Sequence, residues 1–181
     1  MRIIGGSHAG LRLHPPAVLP VRPTTDIAKE ALFNVLQHRR DFEGLYALDL
    51  FAGTGNITFE LASRGAAHVV AVDMHFKCVQ YIKTTAENLK MTAVKAVKAN
   101  ALKFIVSCTD GFDFIFADPP YDLPQLPQLP ERIFERGMLK PGALLVLEHA
   151  SLLKLPEHPN LVERRKYGYS SFSFYQMKEG G

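Results

Sequence analysis

The chain has 181 residues, 47% hydrophobic and 22% charged, with 21 Lys and Arg against 18 Asp and Glu for a formal net charge of +3. This length suits one domain with a substantial core plus a short appendage, and the composition argues against disorder or a fibrous repeat. The basic excess is N-terminal: residues 1 to 40 carry six Lys or Arg against two acids, 6 − 2 = +4, and the other 141 carry 15 against 16, or −1.

Residues 1–22 contain Ile3-Ile4, a Gly5-Gly6 turn signal, Leu11-Arg12-Leu13, and then Pro15, Pro16 and Pro20. This pattern predicts a small β-hairpin or extended arm outside the main fold, with the main domain spanning 23–181. A helix is expected after Pro23, capped by Thr24 or Thr25, with Asp26 in its first turn and Ile27, Ala31, Leu32, Val35 and Leu36 on one face, running to about Arg40.

From Gly44 onward short apolar runs alternate with amphipathic ones. Strands are expected at Leu45 to Phe51, His68 to Asp73, Val94 to Ala99, Phe112 to Ala117 and Ala143 to Glu148, and helices at Asn56 to Arg64, His75 to Leu89, Ala101 to Ser107 and Leu129 to Arg136. Such βαβ succession implies a parallel, helix-covered α/β sheet with right-handed crossovers, and Gly65, Gly111 and Gly142 are expected between elements. Leu161 to Tyr167 and Ser171 to Met177, separated by Gly168-Tyr169-Ser170, predict an antiparallel hairpin on the sheet edge. The proline-spaced stretch from Leu123 to Pro130 is expected to be an extended loop.

The most informative tetrapeptide is Asp118-Pro119-Pro120-Tyr121, which ends the apolar run Phe112 to Ala117. Two prolines stop a strand in a rigid corner, since proline has no N–H for a sheet ladder. A carboxylate, a carbonyl on a fixed ring and an aromatic face then stand at a strand's C-terminal edge, where open α/β sheets bind ligands. An exocyclic amine on a planar base can donate to Asp118 and to the Pro119 carbonyl while the base stacks on Tyr121. The same residues also make an ordinary strand-terminating turn.

Asp49-Leu50-Phe51-Ala52-Gly53-Thr54-Gly55-Asn56 ends the first strong strand and opens a helix. Gly53 and Gly55 allow positive φ and a close ligand approach, but position 58 is Thr, so the third glycine of a pyrophosphate-binding fingerprint is missing. Asp73 ends the next strand with Met74 after it, and its carboxylate can accept both hydroxyls of a ribose. Asn100-Ala101, after the third strand, could address an adenine ring or simply cap a helix. An adenosine ligand without a phosphate clamp, beside a corner that holds an amine, points to S-adenosyl-L-methionine as methyl donor.

Asp49 to Asn56, Asp118 to Tyr121, the opening Arg2-Ile3-Ile4-Gly5-Gly6, and Arg22-Pro23-Thr24-Thr25-Asp26 with Glu30 to Asn34 together resemble the RsmD family of bacterial 16S rRNA guanine-N2 methyltransferases. The resemblance covers nearly the whole chain. It implies a Rossmann-like class I S-adenosylmethionine-dependent methyltransferase with a mostly parallel seven-stranded sheet, rRNA or the 30S particle as partner, and transfer to guanine N2. Two departures stand out: His8-Ala9-Gly10-Leu11 occupies a stretch that is usually basic, and Asn100 stands where Asp is common.

Candidate rRNA contacts are Arg2, Arg12, Arg22, Thr24, Lys29, Arg39, Arg40, Arg164, Arg165, Lys166 and Tyr167. Arg22, Lys29, Arg39 and Arg40 are expected on one basic helix face. An adenine-N6 methyltransferase on DNA or RNA would use the same corner, and a non-catalytic RNA-binding ribosome assembly factor could retain the fold. Cys78 and Cys108 lack metal-ligand spacing, the seven His residues form none, and no metal site is expected. The absence of a long apolar run or signal-like N-terminus leads to an expected cytoplasmic location, and a monomer is expected.

Overall fold

The computed structural model describes residues 1–20 and 24–180. Its sheet has seven strands, β1 Tyr46–Leu50, β2 His68–Asp73, β3 Val94–Lys98, β4 Phe112–Ala117, β5 Leu139–Ala150, β6 Leu161–Tyr167 and β7 Ser170–Gln176, in the order β3-β2-β1-β4-β5-β7-β6. β1 to β5 run parallel, and β7 lies antiparallel between β5 and β6. The helices are α1 Asp26–Leu36, α2 Asn56–Ser63, α3 Phe76–Asn88, α4 Ala101–Ser107 and α5 Leu129–Glu135. This is the class I methyltransferase architecture expected from the sequence, including the antiparallel C-terminal hairpin.

The apolar runs form strands buried on both faces, with alternate residues serving opposite layers. In β4, Phe114 and Phe116 join Leu32, Phe33 and Leu36 of α1 and Ile57 and Leu61 of α2. Ile115 and Ala117 join Ala101 and Ile105 of α4 and Leu129 and Ile133 of α5 on the other side. Each fully buried Leu, Ile or Phe contributes about 1.5–3 kcal/mol relative to exposure. A one-residue register slip in β4 would exchange its two faces and disrupt both layers.

Four local expectations change. The N-terminal arm has hairpin-like bonds, Ile3 N–H to Leu11 O at 2.9 Å and Gly10 N–H to Ile3 O at 2.8 Å, with a single Arg2–Arg12 bridge. It is not outside the fold: Ile3 is 1% exposed and packs with Ala52, Phe59, Ala71 and Ile82. The supposed boundary at 22 and 23 falls outside the described residues.

Gly142 lies inside β5 rather than between elements, with φ +77°, where the β4–β5 register shifts; only glycine adopts such a bulge conformation without strain. The stretch from Leu123 to Pro130 is not simply extended either. Leu126–Gln128 form a 3-10 turn leading into α5, whose first turn contains Pro130, a position where a missing N–H costs nothing. α1 ends four residues short of Arg40, and the backbone tightens into His38 N–H to Val35 O and Arg39 N–H to Leu36 O bonds.

Candidate functional site

β1 and β4 are neighbours in the sheet although two strands lie between them in the chain, so the connections diverge at their C-terminal ends. Such a switch point opens a crevice where α/β sheets bind ligands. A cavity of about 390 Å³ lies there, a volume suited to a small organic ligand. Its walls include Asp49, Phe51, Ala52, Gly53, Thr54 and Asn56 from the first strand–helix turn, Asp73 and Met74 from β2, Asn100 and Ala101 before α4, and Asp118, Pro119, Pro120 and Tyr121 after β4. Thr24 lines it as well. Two motifs more than 60 positions apart in sequence thus share one cavity.

The glycine turn is held by backbone geometry and by carboxylates. Phe51, Gly53 and Gly55 have φ of 61°, 57° and 84°. A Cβ on Gly55 would come within 2.8 Å of the Phe59 ring, so the position excludes any side chain on packing as well as backbone grounds. Asp73 fixes this turn: its Oδ2 accepts the Gly53 N–H and its Oδ1 the His75 N–H, both at 2.9 Å. Each oxygen keeps further acceptor capacity toward the cavity.

Asp49 is 1% exposed and accepts the Thr58 hydroxyl at 2.7 Å. Burial pushes its pKa up to about 7, offset by the Thr58 bonds and reinforced by the Asp73 charge. Asn100 caps α4, its Oδ1 accepting the Lys103 N–H at 3.2 Å, while also bordering the cavity.

At the corner the Asp118 N–H donates to Leu50 O at 3.3 Å, keeping β1 and β4 in step beyond the last ladder pair, and Leu123 N–H closes a turn on Pro120 O. The Tyr121 hydroxyl lies 2.6 Å from Ser170 Oγ and donates to Glu148 Oε1 at 3.4 Å; Glu148 Oε2 accepts the Thr24 hydroxyl at 3.3 Å. A polar chain therefore links the start of α1, the end of β5, the corner and the start of β7.

Glu148 and Ser170 were not singled out from the sequence, and neither were the lining residues Pro20, Ile57, Val72, His75, Ala99, Leu102, Phe116 and Leu123. Glu148 had a readable signal, a lone carboxylate ending the apolar run Ala143 to Leu147. The others depend on which strands become neighbours.

The basic candidates do not form one surface. Lys29 is 1% exposed rather than on an open helix face. Its ammonium donates to Arg2 O and to Asn56 Oδ1 and lies 3.3 Å from Glu60, which is itself fully buried. Burial lowers the Lys29 pKa and the Glu60 charge opposes that shift. Glu60 also accepts Ile4 and Gly5 N–H at 2.9 Å and Arg64 Nε at 2.9 Å, so this network clamps the N-terminal arm to α1 and α2.

Arg40 reaches Asp113 at 3.6 Å and Gly142 O at 3.0 Å. Asp113 is the second residue of β4, so Arg40 lies about five strand residues, roughly 16 Å, from the Asp118 corner, toward the opposite end of the strand. Arg39 and Arg165 both pair with Glu163, and Arg2 lies 3.5 Å from Glu30. Arg12, Arg164 and Lys166 are exposed, Arg164 Nε donating to Ser173 Oγ at 3.0 Å, and the Tyr167 ring packs 5.6 Å from Phe172. Arg22 lies outside the described residues.

Among the described residues no three or more His, Cys, Asp or Glu gather as a metal site. No described helix is long and apolar enough to cross a membrane.

Comparison with known proteins agrees with this architecture. The chain is 38% identical to the Bacillus subtilis (strain 168) protein YlbH across 98% of its own length and all of that protein. It is 30% identical to ribosomal RNA small subunit methyltransferase D of Escherichia coli (strain K12), covering the whole chain and 92% of that protein. The solved structure of Escherichia coli yhhF superposes with a TM-score of 0.85 at 28% identity, covering 99% of each chain. The family model described as "Conserved hypothetical protein 95" matches residues 1–176, and with relatives this similar over their full length the chain belongs to that family, the RsmD family.

Proposed function

We propose that this chain methylates small-subunit rRNA, moving the methyl group of S-adenosyl-L-methionine to the exocyclic N2 of a guanine. The observation that carries this reading is the shared cavity: the Gly53–Gly55 turn and Asp73 face the same space as Asp118 and Pro119. The name borne by the Escherichia coli relative, ribosomal RNA small subunit methyltransferase D, supports the same substrate class.

The residues present fit the cofactor. Gly53 borders the cavity with no side chain to hold a ligand off its backbone, and the nearly buried Asp73 carboxylate, already oriented by two amides, suits a ribose diol. Each such charged hydrogen bond is worth about 1.5–3 kcal/mol. Phe51, Ala52, Thr54, Asn56, Met74, Asn100 and Ala101 complete the cofactor wall, and Asp49 offers a carboxyl group in its depth. When bound, the cofactor supplies a methyl group already activated by its sulfonium.

The protein's part is then positioning. A guanine N2 lone pair is delocalised into the ring, which makes the amine a weak nucleophile. Asp118 and the Pro119 carbonyl accept its two hydrogens, favouring a pyramidal nitrogen that presents its lone pair to the methyl. Pro120 keeps the corner rigid, and Tyr121, anchored through its hydroxyl to Ser170 and Glu148, offers its ring to the base. The Asp118 carboxylate can receive the proton released with transfer. The base must be unpaired or extruded to enter. Residues 1–22 would serve as an RNA-contacting arm, with Arg2, Arg12, Thr24, Arg164 and Lys166 nearest the phosphates.

The test is transfer from labelled cofactor to 16S rRNA, naked and in small subunits lacking the modification, followed by nucleoside analysis. N2-methylguanosine is expected. N6-methyladenosine would replace the target, and cofactor binding with no transfer to any ribosomal particle would favour an assembly factor. Asp118→Ala should lower turnover about 10²–10³-fold with cofactor affinity retained; near-normal turnover would refute the corner's role.

A further inference from the structure

Beside the corner, on the far side from the cofactor wall, two apolar side chains stand almost wholly in solvent: Tyr169 is 93% exposed and Leu152 is 90% exposed. They sit on adjacent loops, the β6–β7 turn and the β5–β6 connection. These loops are tied together, Ser151 N–H donating to Tyr169 O at 2.8 Å and Ser151 Oγ to Gly168 O at 3.0 Å. The Tyr169 backbone is therefore held while its ring is left uncovered.

Its place relative to the corner is fixed by the sheet. Ser170, the next residue, pairs with Ala150 of β5 and places its hydroxyl 2.6 Å from that of Tyr121. β4 and β7 are two strand spacings apart, about 10 Å. That is about the height of three stacked bases at 3.4 Å each. The same hairpin and loop carry basic groups: Lys154, Arg164 and Lys166 are exposed, and among the described residues none of the three pairs with a carboxylate. An uncovered, backbone-anchored aromatic ring on a hairpin whose cations have no carboxylate partner suits unpaired nucleotides, whose bases stack and whose phosphates need neutralising.

We propose that Tyr169, with Leu152 beside it, is a stacking platform for a nucleotide flanking the methylated one in the RNA strand. Base–aromatic stacking is worth about 1–3 kcal/mol per base, equivalent to roughly 5- to 150-fold in affinity. The platform holds the strand after the target base has left its stack, so it acts on RNA affinity and not on the chemical step. This inference rests on the rRNA methyltransferase reading above.

Three proteins test it: wild type, Tyr169→Ala and Tyr169→Phe, compared by steady-state methyl transfer to rRNA and by fluorescence anisotropy with a single-stranded RNA oligonucleotide without cofactor. In Tyr169→Ala, KM for rRNA should rise about tenfold and oligonucleotide affinity fall comparably, with kcat within twofold and binding of S-adenosylhomocysteine unchanged. Tyr169→Phe should match wild type within twofold, because the ring and not the hydroxyl carries the contact. RNA affinity unchanged in Tyr169→Ala, or lost equally in Tyr169→Phe, would overturn the platform. If wild type transfers no methyl to rRNA, the functional reading fails by itself, and the oligonucleotide measurement still decides whether Tyr169 binds single strands.

Discussion

Replacing Asp49 with Asn should stabilise the folded protein, and the gain should depend on pH. Asp49 is fully buried, and burial moves its pKa from 3.8 to about 7. Between these values the unfolded chain has released a proton that the folded protein retains. Stability therefore falls as pH rises through the interval, and the whole cost is reached above about pH 7. A shift of roughly three units at 1.36 kcal/mol each is a cost of about 4 kcal/mol. Asn is nearly isosteric and can still accept the Thr58 hydroxyl. Its amide N–H groups need partners that a carboxylate does not, worth about 1–3 kcal/mol if unmet.

The net expectation for Asp49→Asn is a gain of about 1–4 kcal/mol at pH 8, falling by about 4 kcal/mol toward pH 4, where only the amide penalty of up to about 3 kcal/mol is left. At about 2–4 °C per kcal/mol for a chain of this size, Tm at pH 8 rises by roughly 2–16 °C. Urea titrations of both proteins from pH 4 to 8 read this directly. A gap that stays constant with pH, or a variant less stable at pH 8, would refute the assignment of a buried, destabilising carboxylate. Cofactor affinity should fall in the same variant, because a charge kept in a cavity at such a cost marks a functional site more often than a structural one.

Lys29→Met leaves Glu60 with Arg64 and two backbone amides but without its buried ammonium; about 3 kcal/mol of stability should be lost, and a chemical denaturation midpoint equal to wild type would contradict the clamp. Gly55→Ala puts a Cβ within 2.8 Å of Phe59 at φ +84°, so cofactor affinity measured by calorimetry should drop at least tenfold, and unchanged affinity would mean that the turn does not approach the ligand. RNA affinity should fall linearly on a log–log plot against salt, and removing Lys166 should reduce the slope by about one unit; a flat response would exclude phosphate contacts there.

The strands, most helix boundaries, the glycine turn and the proline corner were legible because each is fixed by neighbouring residues. Apolar runs of the right length pair as strands, Asn100 and Thr25 cap where they stand, and two prolines stop β4 whatever surrounds them. The existence of a C-terminal hairpin was equally local, but its insertion was not: β7 takes the inner place beside β5 because Phe172, Phe174 and Tyr175 need burial on both faces, whereas β6 carries mostly exposed residues.

Lys29 shows where reading by residue type stops. Its charge marked it as a surface group, yet Glu60, 31 positions on, Asn56 and the Arg2 carbonyl surround it, and an ammonium so satisfied can leave water. The Tyr121–Ser170–Glu148–Thr24 chain is likewise invisible in sequence, since its members come from four separate segments. Local sequence determined which elements form and which chemical groups end them. Tertiary structure alone decided which strand tips meet, which charges lose water and which ring stays bare, because these depend on contacts between segments that chain order does not bring together.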